Sequence, residues 1–175
     1  YVYYPAAFHL VPKKDLGNAI LTRWPIVSDK KILLPHLDPA KLQRIAVAAD
    51  ILINNCRVSA LSVHLNVFSR RPHRENQINT LIQSLAPDQK HCIIAGDFNT
   101  FSQNHFKNIY APLQSTGFNH ASSDVQWTYK YWYLLNKKSA LDHIFTKGFT
   151  AVGSQSVKDA SASDHLPIHA ELRFD

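Results

Sequence analysis

The chain has 175 residues, 45% of them hydrophobic and 18% charged, with a formal net charge of +6. This length suits a single domain that buries roughly 70% of its unfolded surface, and no apolar run approaches the ~20 residues of a membrane span. We therefore expect one soluble globular domain over residues 1–175, in a cytoplasmic or secreted setting that the sequence leaves open. The basic balance favours phosphate-bearing partners, although scattered charge also fits an ordinary basic surface.

The two cysteines, Cys56 and Cys92, lie far apart within predicted strands, which favours buried thiols over a disulfide or a metal site. The chain contains no methionine and begins at Tyr1, inside a β-prone segment. We expect these residues to be part of a longer chain.

The first part of the chain predicts short strands. A loop is expected over residues 10–15 and a strand over residues 18–22. Two further strands, 44–53 and 57–65, are joined at Asn54-Asn55. Asparagine tolerates the positive φ of a two-residue turn, so these strands predict a β-hairpin.

His64 closes the second of these strands at the predicted rim of the sheet, where it either bonds to backbone or serves a functional site. A basic loop follows, and Pro72 opens a helix to about Leu85 whose apolar residues repeat at i, i+3, i+4 and i+7. Arg70 and Arg71 gather at the start of this helix, where basic groups either collect phosphate or form a solvated turn.

The second half alternates strands, one further helix and an aromatic cluster. Ser102 can cap a helix over residues 103–114 that ends before Gly117. Five aromatic residues lie within 127–133, where they either stack on bases or pack across a strand pair. Short strands are predicted at 140–146, 150–157 and 166–174. Many short strands with two helices predict an α/β protein, with two mixed sheets packed face to face and helices outside.

Polar residues follow an apolar run that ends in glycine, in the order Asp97-Phe98-Asn99. Residues two apart in extended backbone point the same way, so Asp97 and Asn99 can face one substrate. A simple turn is the alternative, because Asp and Asn favour turns. Two similar stretches, at Asp142 and at Asp164-His165, predict instead that several strand ends bring such residues to one rim.

These stretches resemble signatures of the endonuclease/exonuclease/phosphatase superfamily, in the same order and at similar separations. The resemblance runs from about Tyr1 to Phe174, and the matching segments are Gly17–Ile26, Ser62–Leu65, Gly96–Thr100, Leu141–Phe145 and Ser163–Ile168. It implies the family's four-layer α/β sandwich. The family also carries an upstream Asn-bearing strand and a Gln-Glu strand whose glutamate binds metal. Neither lies within residues 1–175, so we expect the domain to be incomplete at its N-terminus.

The resemblance also implies roles for the site residues. His165, oriented by Asp142, would contact the scissile phosphate and serve as base or transition-state stabiliser. Asp97 would position or deprotonate water, and Asn99 and His64 would steady phosphate oxygens.

Asp164 would help to hold the metal, and Arg70 and Arg71 would contact substrate. Hard oxygen ligands without thiolates match Mg²⁺, with Mn²⁺ also possible. We therefore predict a metal-dependent phosphodiesterase, foremost an endonuclease acting on nucleic acid, with no obligate protein partner. The alternatives are a phosphatase or phospholipase acting on inositol phosphates or sphingomyelin, and a non-catalytic binding module that lacks the metal-binding glutamate.

Overall fold

A computed structural model of the chain describes residues 2–3, 6–11, 14–35, 43–67, 71–131 and 137–175. Within these residues the helices are α1 (Arg71–Gln83) and α2 (Gln103–Ser115). The strands are β1 (Val2–Tyr3), β2 (Ala6–Val11), β3 (Lys14–Gly17), β4 (Ile20–Leu21), β5 (Ile26–Leu33), β6 (Ile45–Ile53), β7 (Cys56–His64), β8 (His91–Asp97), β9 (Asn119–His120), β10 (Tyr129–Lys130), β11 (Lys138–Ser139), β12 (Asp142–Lys147), β13 (Phe149–Ser156) and β14 (Ile168–Phe174).

A six-stranded mixed sheet organises the molecule, in the order β5-β6-β7-β8-β12-β9. Strands β7 and β8 are parallel, because α1 crosses between them, and the other neighbours are antiparallel. The pairs β1-β4, β2-β3, β10-β11 and β13-β14 form two-stranded sheets. The predicted α/β class is confirmed, with one large mixed sheet, whereas the two-stranded sheets are antiparallel.

Both helices pack on one face of the large sheet. Ile78 of α1 and Ile109 of α2 join a buried cluster with Ile94 of β8 and Phe145 of β12. On the segment between β3 and β4, the side chain of Asn18 donates to the carbonyls of Ile45, at 2.9 Å, and Ser62, at 3.1 Å. This segment is thereby tied to the large sheet, consistent with the predicted sandwich.

Several local predictions are confirmed. The turn between β6 and β7 has φ 49° at Asn54 and φ 64° at Asn55, as the hairpin prediction requires. The helices begin and end within two residues of their predicted limits. Ser102 caps α2 by accepting a hydrogen bond from the amide of His105. No helix among the described residues is long and apolar enough to cross a membrane.

The N-terminal predictions need correction. The loop expected at residues 10–15 is wrong, because β2 pairs with β3 there across irregular register. The strand expected at 18–22 is only Ile20–Leu21. Strand β5 was not predicted, and its side chains are mostly exposed because it lies at the sheet edge and buries little of either face. Cys92 is buried and Cys56 is half-buried, and both are free thiols.

The aromatic stretch is only partly described, since residues 132–136 lie outside the described part of the chain. Tyr129 of β10 pairs with Ser139 of β11, and its ring packs against that of Tyr131 with centroids 5.0 Å apart. The strand pair is therefore present, although this ring contact runs along one strand and not across the pair.

Candidate active site

Three adjacent strands place His64, Asp97 and Asp142 side by side. In the parallel pair β7-β8, His64 lies opposite Asp97, and in the antiparallel pair β8-β12, Asp97 lies opposite Asp142. Alternation along the strands puts these side chains on the face opposite to Ile94 and Phe145, away from the helices. The predicted convergence of strand ends at one rim is thus present.

His165 reaches this rim from the segment before β14. Its Nδ1 lies 2.7 Å from Oδ2 of Asp142. This hydrogen bond is the largest of the effects that raise the pKa of the imidazole. Thr128, which is fully buried, accepts hydrogen bonds from the amides of Leu141 and Asp142 at 3.0 and 3.2 Å. Its own carbonyl accepts from the amide of Leu166 at 2.7 Å. Thr128 therefore ties the backbone of the aspartate to that of the histidine.

Asp97, Asp142 and His165 each offer a ligand atom, and these atoms all lie within 4.8 Å of one another. One ion could be shared at that spacing. Two carboxylates suit a hard divalent cation such as Mg²⁺ or Mn²⁺, and an imidazole is an acceptable further donor for Mn²⁺. The residues present therefore fit the metal that the sequence predicts.

The carboxyl of Asp97 is held in a poorly solvated position. Burial, followed by the nearby carboxylate of Asp142, raises its pKa to about 6, although the amide of Asn99 donates to it at 2.8 Å and opposes this shift. Asp97 thus titrates close to neutrality, where a carboxylate can exchange a proton with water.

Arg44 fixes the state of His64. Its Nη1 lies 3.2 Å from Nδ1 of His64, and since a guanidinium only donates, Nδ1 must accept. Burial, then the charges of Arg44 and His165, lower the pKa of His64 to about 4, so the ring is neutral with its proton on Nε2. That nitrogen lies 3.4 Å from Oδ2 of Asp97. The sequence analysis missed Arg44, because nothing local distinguishes it from any polar residue before a strand.

Asn99 lies behind the rim. It is 3% exposed, has φ 53°, and its Nδ2 donates to the carbonyl of Leu65 at 2.9 Å. Nη1 of the fully buried Arg74 donates to the carbonyls of Phe98 and Asn99 at 3.1 and 3.0 Å. The loop after β8 is therefore fixed by a residue of α1.

Three of the predicted residues do not join this cluster. Asp164 is exposed beside His165, and the hydroxyl of Ser163 lies 3.4 Å from its carboxylate. Arg71 is exposed at the start of α1 and donates to Glu75 at 2.8 Å. Arg70 lies outside the described residues.

The comparisons with known proteins agree with this fold. The sequence profile described as "Endonuclease/Exonuclease/phosphatase family" matches residues 1–165. The chain belongs to this family of phosphoesterases. No curated protein sequence is significantly similar to it.

Solved structures with the same fold share little sequence with the chain. An endonuclease/exonuclease/phosphatase family protein from Leptotrichia buccalis is 20% identical with a TM-score of 0.81, covering 99% of this chain and 72% of its own. A mannosyl-6-phosphatase from Bacteroides thetaiotaomicron is 16% identical with a TM-score of 0.74, covering 99% of this chain and 77% of its own. A beta toxin from Staphylococcus aureus is 19% identical with a TM-score of 0.66, covering 87% of this chain and 66% of its own. At these identities the likeness establishes the fold alone.

Proposed function

We propose that the chain is a metal-dependent phosphodiesterase that hydrolyses nucleic acid as an endonuclease. The observation that carries this proposal is the convergence of Asp97, Asp142 and His165 within 4.8 Å. The neutral His64 and the cationic Arg44 lie beside that cluster. Such a set combines a general base, an oriented imidazole and donors for phosphoryl oxygens, which are the groups that ester hydrolysis requires.

Asp97 and Asp142 would hold Mg²⁺ or Mn²⁺, whereas the exposed Asp164 lies outside their cluster. When bound, the ion would relieve negative charge on the phosphoryl oxygens and acidify a water molecule.

The chain's own groups divide the remaining work. The Nδ1–H of His165 donates to Asp142 at 2.7 Å, so Nε2 is the nitrogen left to meet the phosphate or the water. Asp97, whose carboxylate a bound cation would keep ionised, positions the attacking water and takes its proton. The Nε2–H of His64 steadies the phosphoryl oxygens, whereas the buried Asn99 holds the loop after β8 by donating to the carbonyl of Leu65.

Nucleic acid is the favoured substrate because the chain carries a net charge of +6. Phosphomonoester hydrolysis is the second candidate, since one protein with the same fold is named a mannosyl-6-phosphatase. Both reactions need the same central groups, so the substrate and not the site distinguishes them.

The experiment compares supercoiled plasmid DNA, bis(p-nitrophenyl) phosphate and p-nitrophenyl phosphate as substrates with added Mg²⁺. We expect the plasmid and the diester to be cleaved much faster than the monoester. His165→Ala should lower turnover by about 100-fold or more. His169→Ala is the matched control, because His169 is exposed four residues away, and it should retain full activity. Faster cleavage of the monoester would refute the diesterase proposal, and equal activity of the two histidine variants would refute the site.

A further inference from the structure

We propose that Thr100 and His143 are positioning residues, which lock the loop that follows Asp97 to the strand carrying Asp142. This inference rests on the proposed function, because it concerns the same site. Neither residue touches the cluster at the rim, and both act through a buried chain of hydrogen bonds on the helix side of the sheet.

Thr100 connects two parts of this hydrogen-bonded network. It is 4% exposed, and its Oγ1 lies 2.7 Å from the carbonyl of Ala140 and 2.7 Å from Nε2 of His143. A hydroxyl has one hydrogen, and a carbonyl can only accept, so Thr100 donates to Ala140. Oγ1 must then accept from His143, whose proton is on Nε2. The loop after β8 is thereby bonded to both the backbone and a side chain at the start of β12.

The hydrogen-bonded network continues from His143 to His120 of β9 and then returns to β12 through Ser122. Nδ1 of His143 then accepts from the Nε2–H of His120 at 3.1 Å, and the same N–H is shared with Oγ of Ser122 at 3.1 Å. Ser122 Oγ in turn accepts from the amide of Ile144 at 2.9 Å. The two ends of the network therefore bond to Ala140 and Ile144, two residues before and two residues after Asp142.

This placement fixes the aspartate from behind. Asp142 and His143 are consecutive in a strand, so their side chains point to opposite faces. The ring of His143 is 4% exposed and packs against Phe98 and Phe106, with centroids 5.9 and 5.1 Å away. A ring that is both packed and hydrogen-bonded holds the strand in one register and one twist. The Asp142 carboxylate is then presented to His165 at a constant position.

Packing alone does not require these polar groups. The surrounding cluster is apolar, with Phe98 and Phe145 fully buried, and burying a polar network in such a cluster is costly unless every member is bonded. An apolar core would stabilise the fold equally well. Hydrogen bonds, unlike apolar contacts, fix the relative orientation of the groups they join, and a catalytic site needs a fixed geometry.

Thr100→Val tests the proposal, because valine keeps the shape of threonine and removes both hydrogen bonds. We expect kcat for phosphodiester cleavage with Mg²⁺ to fall by about 10- to 100-fold, with KM within about twofold of wild type, because the catalytic groups shift while the binding surface remains. Thr100→Ser restores the hydroxyl and should return kcat to within about threefold of wild type.

Thr146→Val is the matched control. Thr146 lies on β12, the strand of His143. It is fully buried, and its Oγ1 has no hydrogen-bond partner among the described residues. The same substitution there should leave kcat unchanged. A structural role of Thr100 would lower the melting temperature without lowering kcat of the folded fraction, so both are measured for each variant.

A second pair of variants covers the case in which Thr100→Val does not fold. His143→Gln places an amide N–H near the former Nε2, whereas His143→Leu removes the donor, so the glutamine variant should have the higher kcat. The proposal is overturned if folded Thr100→Val retains wild-type kcat, if Thr100→Ser fails to restore it, or if Thr146→Val loses as much. It is also overturned if the two His143 variants are equally active. A wild-type chain that cleaves no phosphate ester would refute the proposed function instead.

Discussion

Replacing His143 by glutamine should make the fold less sensitive to acid. The residue is 4% exposed, and burial, followed by the neighbouring His120, lowers its pKa to about 3 from an ordinary 6.5. As the pH falls below 6.5, the unfolded chain takes up a proton at this residue, whereas the folded chain does not until the pH nears 3. Acid therefore favours unfolding, and the stability lost at this residue accumulates between pH 6.5 and about 3.

The magnitude follows from the width of that interval, since each pKa unit corresponds to about 1.4 kcal/mol. At about pH 5 the wild-type chain should have lost about 2 kcal/mol through His143 relative to neutral pH. His64, with a pKa lowered to about 4, acts in the same direction. Asp97 acts in the opposite direction, because its folded pKa of about 6 exceeds the ordinary 3.8 and the folded chain holds the proton longer. Both His64 and Asp97 are present in the wild type and in His143→Gln, so their contributions cancel when the two proteins are compared.

The measurement is guanidinium chloride unfolding of the wild type and His143→Gln at about pH 7.5 and about pH 5, with EDTA present. The free energy of unfolding should fall by about 2 kcal/mol less in the variant than in the wild type. The absolute stability of the variant does not matter, because only the change with pH is compared. An equal loss in the two proteins would show that His143 is not held neutral by burial, and the reasoning would fail.

Three further predictions concern the site and its support. Arg44→Leu removes the charge and the donor that fix His64, so kcat/KM for the phosphodiester should fall by about 10-fold or more, and a value within about twofold of wild type would contradict this role. Gly96→Ala should destabilise the fold by about 3 kcal/mol or more. The reason is that Gly96 has φ 143° and a Cβ there would lie 2.0 Å from the carbonyl oxygen of Val63. A loss of stability below about 1 kcal/mol in thermal melting would contradict the steric reasoning. Chelation with EDTA should abolish cleavage and Mg²⁺ should restore it, whereas turnover that persists in EDTA would refute metal dependence.

The elements that sequence predicts well are those whose signals are local. The Asn54-Asn55 turn, the cap at Ser102 and the two helices depend on residues within a few positions of one another, and each was found as predicted. Strand β5 was missed for the converse reason. It lies at the edge of the sheet with most side chains exposed, so it lacks the alternation that identifies a half-buried strand.

The candidate site was predictable to the extent that its residues lie at strand ends. Asp97, Asp142 and His165 meet as the motif positions imply, and His64 joins them through the register of β7 against β8. Arg71 shows the limit of counting charges along the chain. Its partner Glu75 lies four residues away on the same helix, a spacing that favours an intrahelical pair over a free phosphate ligand.

The supporting residues could not be found from sequence, because their partners are distant. Thr100 and Ala140 are 40 residues apart, and Thr128 bonds to Leu141 at a separation of 13 residues. Threonine has no distinctive local pattern, and its role arises only when the strands are aligned. Arg44 is similar, since its partner His64 lies 20 residues further along the chain.

The charges at the rim explain why this arrangement suits phosphoester chemistry. Asp97 and Asp142 lie opposite each other in neighbouring strands, and their mutual repulsion contributes to the raised pKa of Asp97. Asp142 is compensated by His165, to which it is bonded at 2.7 Å, whereas Asp97 faces the neutral ring of His64. The negative charge of the pair is thus only partly balanced by the chain, which favours a divalent cation at these oxygens. A bound cation would keep Asp97 ionised at neutral pH, and an ionised carboxylate is the form that can accept a proton from water.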